Sequence, residues 1–343
     1  MLALGAGADV RRGDYAAAES LLREALPLAP REQRLALLGR LGEVLHYGAR
    51  YAEADVVLGE AMSAWRAARR GLEVPRAYFD LLHSRGDFER ARAVLDEIRV
   101  PADSYAAAIK LRDAGILARD AAEPAAARAA LEASLDVLDR LGSDALSKAT
   151  VQLALARWHA RDGDPSTARR LIAQALPAIL RIYADGQAVS GMAHHVVALA
   201  DLRDGAHAEA EGGFTRVLER DYAGTAPGNV LRAYVHLDRA QARALLGAFD
   251  AASADLDAAE RILRAVSEAP HPRLAEALLL RAWLRRAQGQ AYEELLATAI
   301  AQRAERFGPG HPLARESQAW VEAFRADPAG TRGAGHWRHA PLP

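Results

Sequence analysis

The sequence predicts an all-α protein, a right-handed superhelical α-solenoid of about eight antiparallel helix pairs with a C-terminal capping helix. Two observations predict this fold. A short turn that leads into a helix with alanine at a fixed place recurs seven times, and successive copies lie 36 to 42 residues apart. A period of this size is typical of stacked helix pairs. A repeat array grows in one dimension, so a chain of 343 residues need not divide into about two or three compact domains.

The second helix of each unit carries the recurrent alanine. A larger apolar residue follows the alanine by four positions and a second, mostly small, residue follows it by seven, as at Leu22 and Ala25. These spacings put all three side chains on one helical face, and small residues there allow two helices to approach closely. The recurrent alanines are Ala18, Ala54, Ala91, Ala127, Ala168, Ala210 and Ala252.

The first helix of each unit should precede the turn and carry a small residue where the two helices cross. These crossing positions are Gly42, Phe79, Gly115, Ala156, Ala198 and Ala240, and all but Phe79 are small. An eighth, weaker unit is predicted over 275–306. A closing helix over 313–325 carries Trp320 and Phe324, which could cover the last unit.

The repeat period changes near Gly142, from 36 or 37 residues to 41 or 42. The change predicts a solenoid of 36–37-residue repeats over 1–142 and one of 40–42-residue repeats with the closing helix over 143–326. The extra residues either lengthen each helix by about one turn or lengthen the loops. The segment 327–343 is rich in Gly, Pro and Arg and is predicted to be disordered.

The turn and alanine pattern resembles the tetratricopeptide repeat superfamily over nearly the whole ordered chain. The stretches Ala-Pro-His-Pro at 269–272 and Phe-Gly-Pro-Gly-His-Pro at 307–312 are similar to the junctions of bacterial kinesin-light-chain-like arrays. The resemblance implies a non-catalytic scaffold that binds a partner protein or peptide. In bacteria such arrays often follow a serine/threonine kinase or a transcription regulator, so the alternative is the C-terminal sensor region of a larger signalling protein.

Composition excludes several classes of function. The net charge is −1, with 44 basic and 45 acidic residues, which argues against nucleic acid as a partner. The chain has no cysteine, so disulfides, thiolate zinc sites and cysteine nucleophiles are excluded. No apolar stretch approaches the ~18 residues that cross a membrane, and the N-terminus does not resemble a signal peptide. We therefore expect a cytoplasmic protein that does not bind membranes.

The motifs that suggest chemistry are better explained by structure. Adjacent helical residues diverge by about 100°, so His194 and His195 cannot bind one metal ion from one face. Asp164 begins a repeat turn, which explains it better than a calcium loop does. His271 and His311 each precede a proline, which suits the start of a helix. The sequence therefore predicts no catalytic residues, no metal and no cofactor.

The first helices of a solenoid line its concave surface, which suits an extended peptide or a partner helix. Arginine dominates the outward-facing positions of these helices and binds carboxylate or phosphate through two parallel hydrogen bonds. An acidic or phosphorylated partner is one interpretation, and solvated charges paired within each helix are the alternative. The predicted groove residues are Arg40, Glu43, Arg76, Asp80, Arg112, Asp113, Arg119, Arg157, Arg161, His195 and Arg203, with His46 and His83 beside them.

Two further expectations concern partners. Some tetratricopeptide proteins bind a partner's C-terminal carboxylate through a clamp of lysine and asparagine side chains. This chain has one asparagine, Asn229, and its two lysines lie outside the matching positions, so it cannot build that clamp as the family does. The first unit begins within its own first helix, which leaves Leu2, Leu4 and Val10 available for self-association.

Overall fold

The computed structural model describes residues 14–69, 71–183 and 188–326, and this part of the chain contains sixteen α-helices and no strand. The N-terminal residues predicted to self-associate and the predicted tail 327–343 lie outside the described residues. The helices are α1 Tyr15–Leu28, α2 Arg31–Tyr47, α3 Tyr51–Ala68, α4 Glu73–Ser84, α5 Phe88–Glu97, α6 Tyr105–Asp120, α7 Pro124–Arg140, α8 Ala145–Asp162, α9 Pro165–Ile182, α10 Ala188–Arg203, α11 His207–Arg216, α12 Val230–Leu245, α13 Phe249–Val266, α14 Pro272–Ala287, α15 Glu293–Phe307 and α16 Pro312–Ala326.

The helices pack in consecutive pairs, from α2 with α3 to α14 with α15, and α16 packs against the last pair. All seven recurrent alanines are completely buried. At the crossings, a Cβ on Gly42 or Gly115 would overlap the side chain of Leu58 or Leu131 in the partner helix. The predicted solenoid and the close approach of its helices are therefore confirmed.

Short polar turns separate the helices of each pair. The carboxylate of Asp14 accepts a hydrogen bond from the Ala17 N–H at 3.0 Å, and Asp87 caps α5 in the same way. Asp164 caps α9 by accepting from the N–H groups of Ser166 and Thr167, which confirms its turn role. These side chains provide acceptors for N–H groups that have no partner inside the helix.

The longer period of the second half does not come from about one added turn in each helix, because α3 of the first half also has 18 residues. Helices α8 and α9 have 18 residues each. In the next unit, α11 instead continues into a π-helical turn, Val217–Asp221, and the connection 222–229 leads to α12. The division of the chain at 142 and 143 stays a prediction.

The array curves back on itself, as shown by contacts that the end of α2 and the start of α3 make with the start of α12. The Tyr51 hydroxyl accepts a hydrogen bond from the Val230 N–H at 2.8 Å and lies 3.3 Å from the Gly228 carbonyl. The side-chain amide of Asn229 donates to the Tyr47 carbonyl at 3.0 Å. The only asparagine of the chain therefore joins two parts that lie far apart in sequence.

A second set of long-range contacts joins the turn after α4 to the start of α14 and to the end of α15. The Arg306 guanidinium donates to the carbonyl of Gly86 at 2.8 Å, and the rings of Phe88 and Phe307 stack with centroids 6.0 Å apart. His271 caps α14, because its Nδ1 accepts from the Arg273 N–H at 3.1 Å. We call these contacts, together with those of Tyr51 and Asn229, the seam.

Two buried histidines at the seam are neutral: His271 binds across the seam, and His46 binds Ser84 of the neighbouring unit. Since Nδ1 of His271 is an acceptor, its Nε2–H donates to the Ser84 carbonyl at 3.2 Å. The Ser84 hydroxyl lies 2.8 Å from Nε2 of His46. Burial and the charges of Arg273 and Arg306 lower the pKa of His271 to about 3, and burial lowers the pKa of His46 to about 4.

We expect acid to weaken the seam before most carboxylates titrate. The pKa of an unfolded histidine is about 6.5, so the unfolded chain binds more protons below that pH. The stability contributed by His46 and His271 is full above pH ~6.5 and falls as pH drops toward their folded values. Thermal denaturation between pH 7.5 and 4 should show this loss. The variant His271→Asn keeps a cap acceptor but loses a titrating group, so its melting temperature should fall less steeply; an unchanged slope would contradict the assignment.

Substitution of Gly86 by alanine tests whether the seam is closed in solution. Its φ is +68°, and a Cβ would overlap the ring of Pro272. Gly247 occupies the same turn position in a later unit with φ +78° and open space around it. We expect Gly247→Ala to cost about 1 kcal/mol of unfolding free energy and Gly86→Ala about 3 kcal/mol, because the second change adds a steric overlap. Urea denaturation measures both, and equal costs would show that the seam is open.

Candidate interaction surface on the first helices

The predicted groove residues lie on the first helices of successive units, but most are less exposed than a solvated groove would require. Arg40 is exposed, whereas Asp113, Arg119, Arg161 and His195 are buried. The other predicted groove residues are half-buried: Glu43, Arg76, Asp80, Arg112, Arg157 and Arg203. The seam explains this burial, because an array that closes on itself surrounds its own inner surface.

One set of these residues forms a compact group around Asp113. We call it the first polar cluster, and its members are Glu43, Arg76, Asp80, Arg112 and Asp113. Asp113 is 1% exposed and accepts two hydrogen bonds from Arg112, at 2.6 and 2.9 Å. Its second carboxylate oxygen lies 3.6 Å from Nε of Arg76 on the preceding first helix.

The carboxylates of the first polar cluster affect one another. Burial raises the pKa of Asp80, and the charge of Asp113 raises it further, whereas Arg76 acts in the opposite direction. Burial and the charge of Asp80 likewise raise the pKa of Glu43. The charges of Arg40, Arg76 and Arg112 oppose these rises, so three arginines act on the three carboxylates of the cluster.

A second group lies further along the array and joins five first helices, α6, α8, α10, α12 and α14. We call it the second polar cluster, and its members are Arg119, Asp120, Arg157, Arg161, His195, Asp238, Arg273 and Glu276. Arg119 donates to both oxygens of Asp120, at 2.8 and 2.9 Å. Nε2 of His195 lies 2.6 Å from the Asp238 carboxylate, and burial lowers the pKa of this histidine to about 4.

Four members of the second polar cluster were missed by sequence reasoning. Asp238 lies two residues before the crossing residue Ala240, as Asp113 does before Gly115, so the repeat register could have found it. Asp120 follows a predicted residue directly. Arg273 and Glu276 lie in the first turns of α14, and only the curvature of the array brings them to α8. No local sequence signal predicts that approach.

Pairs between residues four apart occur mainly on second helices at the outer surface. Arg23 pairs with Glu19 at 2.8 Å, and Arg128 pairs with Glu132 at 2.8 Å. The inner arginines instead pair with an adjacent residue or with another helix. The alternative of solvated pairs within each helix therefore fits the outer surface better than the inner one.

His194 and His195 contact different parts of the protein. Nδ1 of His194 lies 2.8 Å from Asp221 in the π-helical turn, whereas His195 faces Asp238 in α12. Among the described residues, no group of three or more histidines and carboxylates is arranged to hold a metal ion. In the same part of the chain, no helix is long and apolar enough to cross a membrane.

Comparison with known proteins shows the fold. No protein-family model matches the chain, and no curated protein does either. Among solved structures, the Rap protein complexed with Competence and Sporulation Factor is 13% identical, with a TM-score of 0.65 over 99% of this chain and 95% of that chain. A tetratricopeptide repeat protein from Parabacteroides merdae is 16% identical, with a TM-score of 0.44 over 77% of this chain and 97% of that chain. The similarity to the Rap protein structure confirms the fold of stacked helix pairs, whereas membership of the tetratricopeptide superfamily and the kinesin-light-chain-like detail stay predictions.

Substitution of Asp113 by asparagine tests whether water is excluded from the first polar cluster. We expect Asp113→Asn to cost about 3 kcal/mol of unfolding free energy, because it replaces the buried carboxylate that accepts both hydrogen bonds from Arg112 with a neutral amide. The control is Asp139→Asn, which removes an exposed carboxylate paired with Lys148 and should cost less than about 0.5 kcal/mol. Chemical denaturation measures both. Similar costs for the two variants would show that water reaches Asp113 freely.

Proposed function

We propose that the protein is a non-catalytic scaffold that binds a partner protein or peptide on the inner surface of the solenoid. One observation carries the proposal: charged side chains from the first helices converge on a shared interior instead of facing bulk solvent. Buried ionic groups stabilise a fold poorly, and apolar residues of similar volume often do as well or better. An interior lined with charges is therefore better explained by recognition than by stability.

The similar Rap protein structure is a complex with Competence and Sporulation Factor, which supports a partner-binding role for this fold. For this chain, the arginines of the inner surface favour a partner with acidic or phosphorylated residues. The alternative function, a sensor region of a larger signalling protein, uses the same inner surface and adds an effector domain elsewhere.

Selection of peptides on the full chain tests the proposal. Peptides from a random displayed library should bind, and hydrogen exchange should then slow in α4, α6, α8 and α10. At a peptide concentration of about 100 times Kd, the unfolding free energy should rise by about 2.7 kcal/mol. Scrambled versions of the selected peptides serve as controls. Slower exchange confined to the second helices α7 and α9 would place binding on the outer surface and contradict the proposal.

A further inference from the structure

Two arginines of the second polar cluster have no partner among the described residues. Arg161 is only 6% exposed, yet it makes no hydrogen bond or ion pair with any described side chain or carbonyl. Nε of Arg157 is buried and has no acceptor. Of the nearby carboxylates, Asp120 binds Arg119 and Asp238 binds His195, whereas Glu276 lies 3.5 Å from Arg273 and its Oε2 has no hydrogen-bond partner.

The unpaired arginines give the cluster surplus positive charge. The second polar cluster has four arginines against three carboxylates, Asp120, Asp238 and Glu276. Burial lowers the pKa of Arg157 to about 10, and the charge of Arg119 acts in the same direction. Burial and the charge of Arg273 also lower the pKa of Arg161. Residues 157 and 161 are four apart on α8, so their side chains share one face and repel each other.

A third unpartnered donor comes from a different part of the chain. Tyr222 is completely buried, and its hydroxyl has no hydrogen-bond partner. Burial raises the pKa of this phenol, so it keeps its proton, and Arg157 is close enough for its charge to oppose that shift. The tyrosine follows the π-helical turn, a feature often found at functional sites. Gly191 leaves room for the Tyr222 ring, because a Cβ there would overlap it.

We infer that Arg157, Arg161 and Tyr222 form a binding site for an oxyanion, the carboxylate or phosphate group of the ligand that enters the solenoid. An oxyanion would supply the acceptors that Nε of Arg157 and the Tyr222 hydroxyl lack. A guanidinium binds carboxylate or phosphate through two parallel, charge-assisted hydrogen bonds. The inference rests on the proposed function and names the chemical group that the inner surface recognises.

Inorganic phosphate is the first probe, applied to the full chain and compared with chloride at equal ionic strength. Phosphate should bind saturably in calorimetry and raise the melting temperature. Arg157→Gln and Tyr222→Phe should each weaken phosphate binding, and Arg157→Gln should do so by about tenfold or more, because a charged hydrogen-bond donor is lost. The matched control is Arg170→Gln, which removes an exposed arginine from α9 and should leave phosphate binding unchanged.

Stability without phosphate separates a ligand site from a structural role. Arg157→Gln removes a buried charge that has no partner, so its melting temperature in chloride should equal or exceed that of the natural protein. Arg119→Gln removes a paired arginine and should lower the melting temperature. An Arg157→Gln protein that melts lower or fails to fold would show that Arg157 supports the empty fold, and this would overturn the inference.

The source of the oxyanion is resolved with acetate and with peptides selected on the protein. Acetate binding that depends on Arg157 would identify a carboxylate site, whereas binding of phosphate alone would identify a phosphate site. For a carboxylate ligand, amidating the peptide C-terminus or replacing its acidic residues should abolish the dependence on Arg157. If peptides bind but neither anion does, and Arg157→Gln has no effect on peptide affinity, the oxyanion site is wrong while the scaffold function stands.

Discussion

The structure depends on the close approach of two helices at the recurrent alanine and at the small residue where they cross. At Gly42 and Gly115 no side chain larger than hydrogen fits against the leucine of the partner helix. This distance sets how each pair stacks on the next, and small rotations between pairs add up along the array. The curvature that closes the seam is thus the sum of the small rotations between neighbouring helix pairs. The inner surface in turn exists only because the array curves.

The sequence predicted the features that recur within each repeat unit. It did not predict the contacts that depend on the summed rotation of several units. The alanine spacing was enough to place the helices and the crossings, since each depends on contacts within one unit. The same register identified Arg157 and Arg161, and it contained the position of Asp238. It could not bring Arg273 to α8 or join Asn229 to Tyr47, because those contacts depend on the total rotation of several units. The predicted groove was correspondingly too open, with side chains expected in solvent that are in fact buried.

Charge is distributed unevenly over the inner surface. Around Asp113, three carboxylates lie with Arg76 and Arg112, and the charge of Arg40 also acts on Glu43. Further along, from α6 to α14, the second polar cluster contains four arginines and three carboxylates. An acidic group of a ligand is therefore favoured beside Arg157 more than beside Asp113. The net charge of −1 for the whole chain does not reveal this difference.

The seam also limits how such a chain can evolve. An open repeat array gains or loses units by duplication and deletion, because each unit contacts only its neighbours. Here the Arg306 side chain reaches the Gly86 carbonyl across 220 positions of sequence, and Tyr51 meets Val230 across 179. Adding one unit between those partners would move both contacts out of register at once. The number of repeats is therefore fixed by the closure of the array. A unit can no longer be added or lost independently of the others, as it can in an open repeat array.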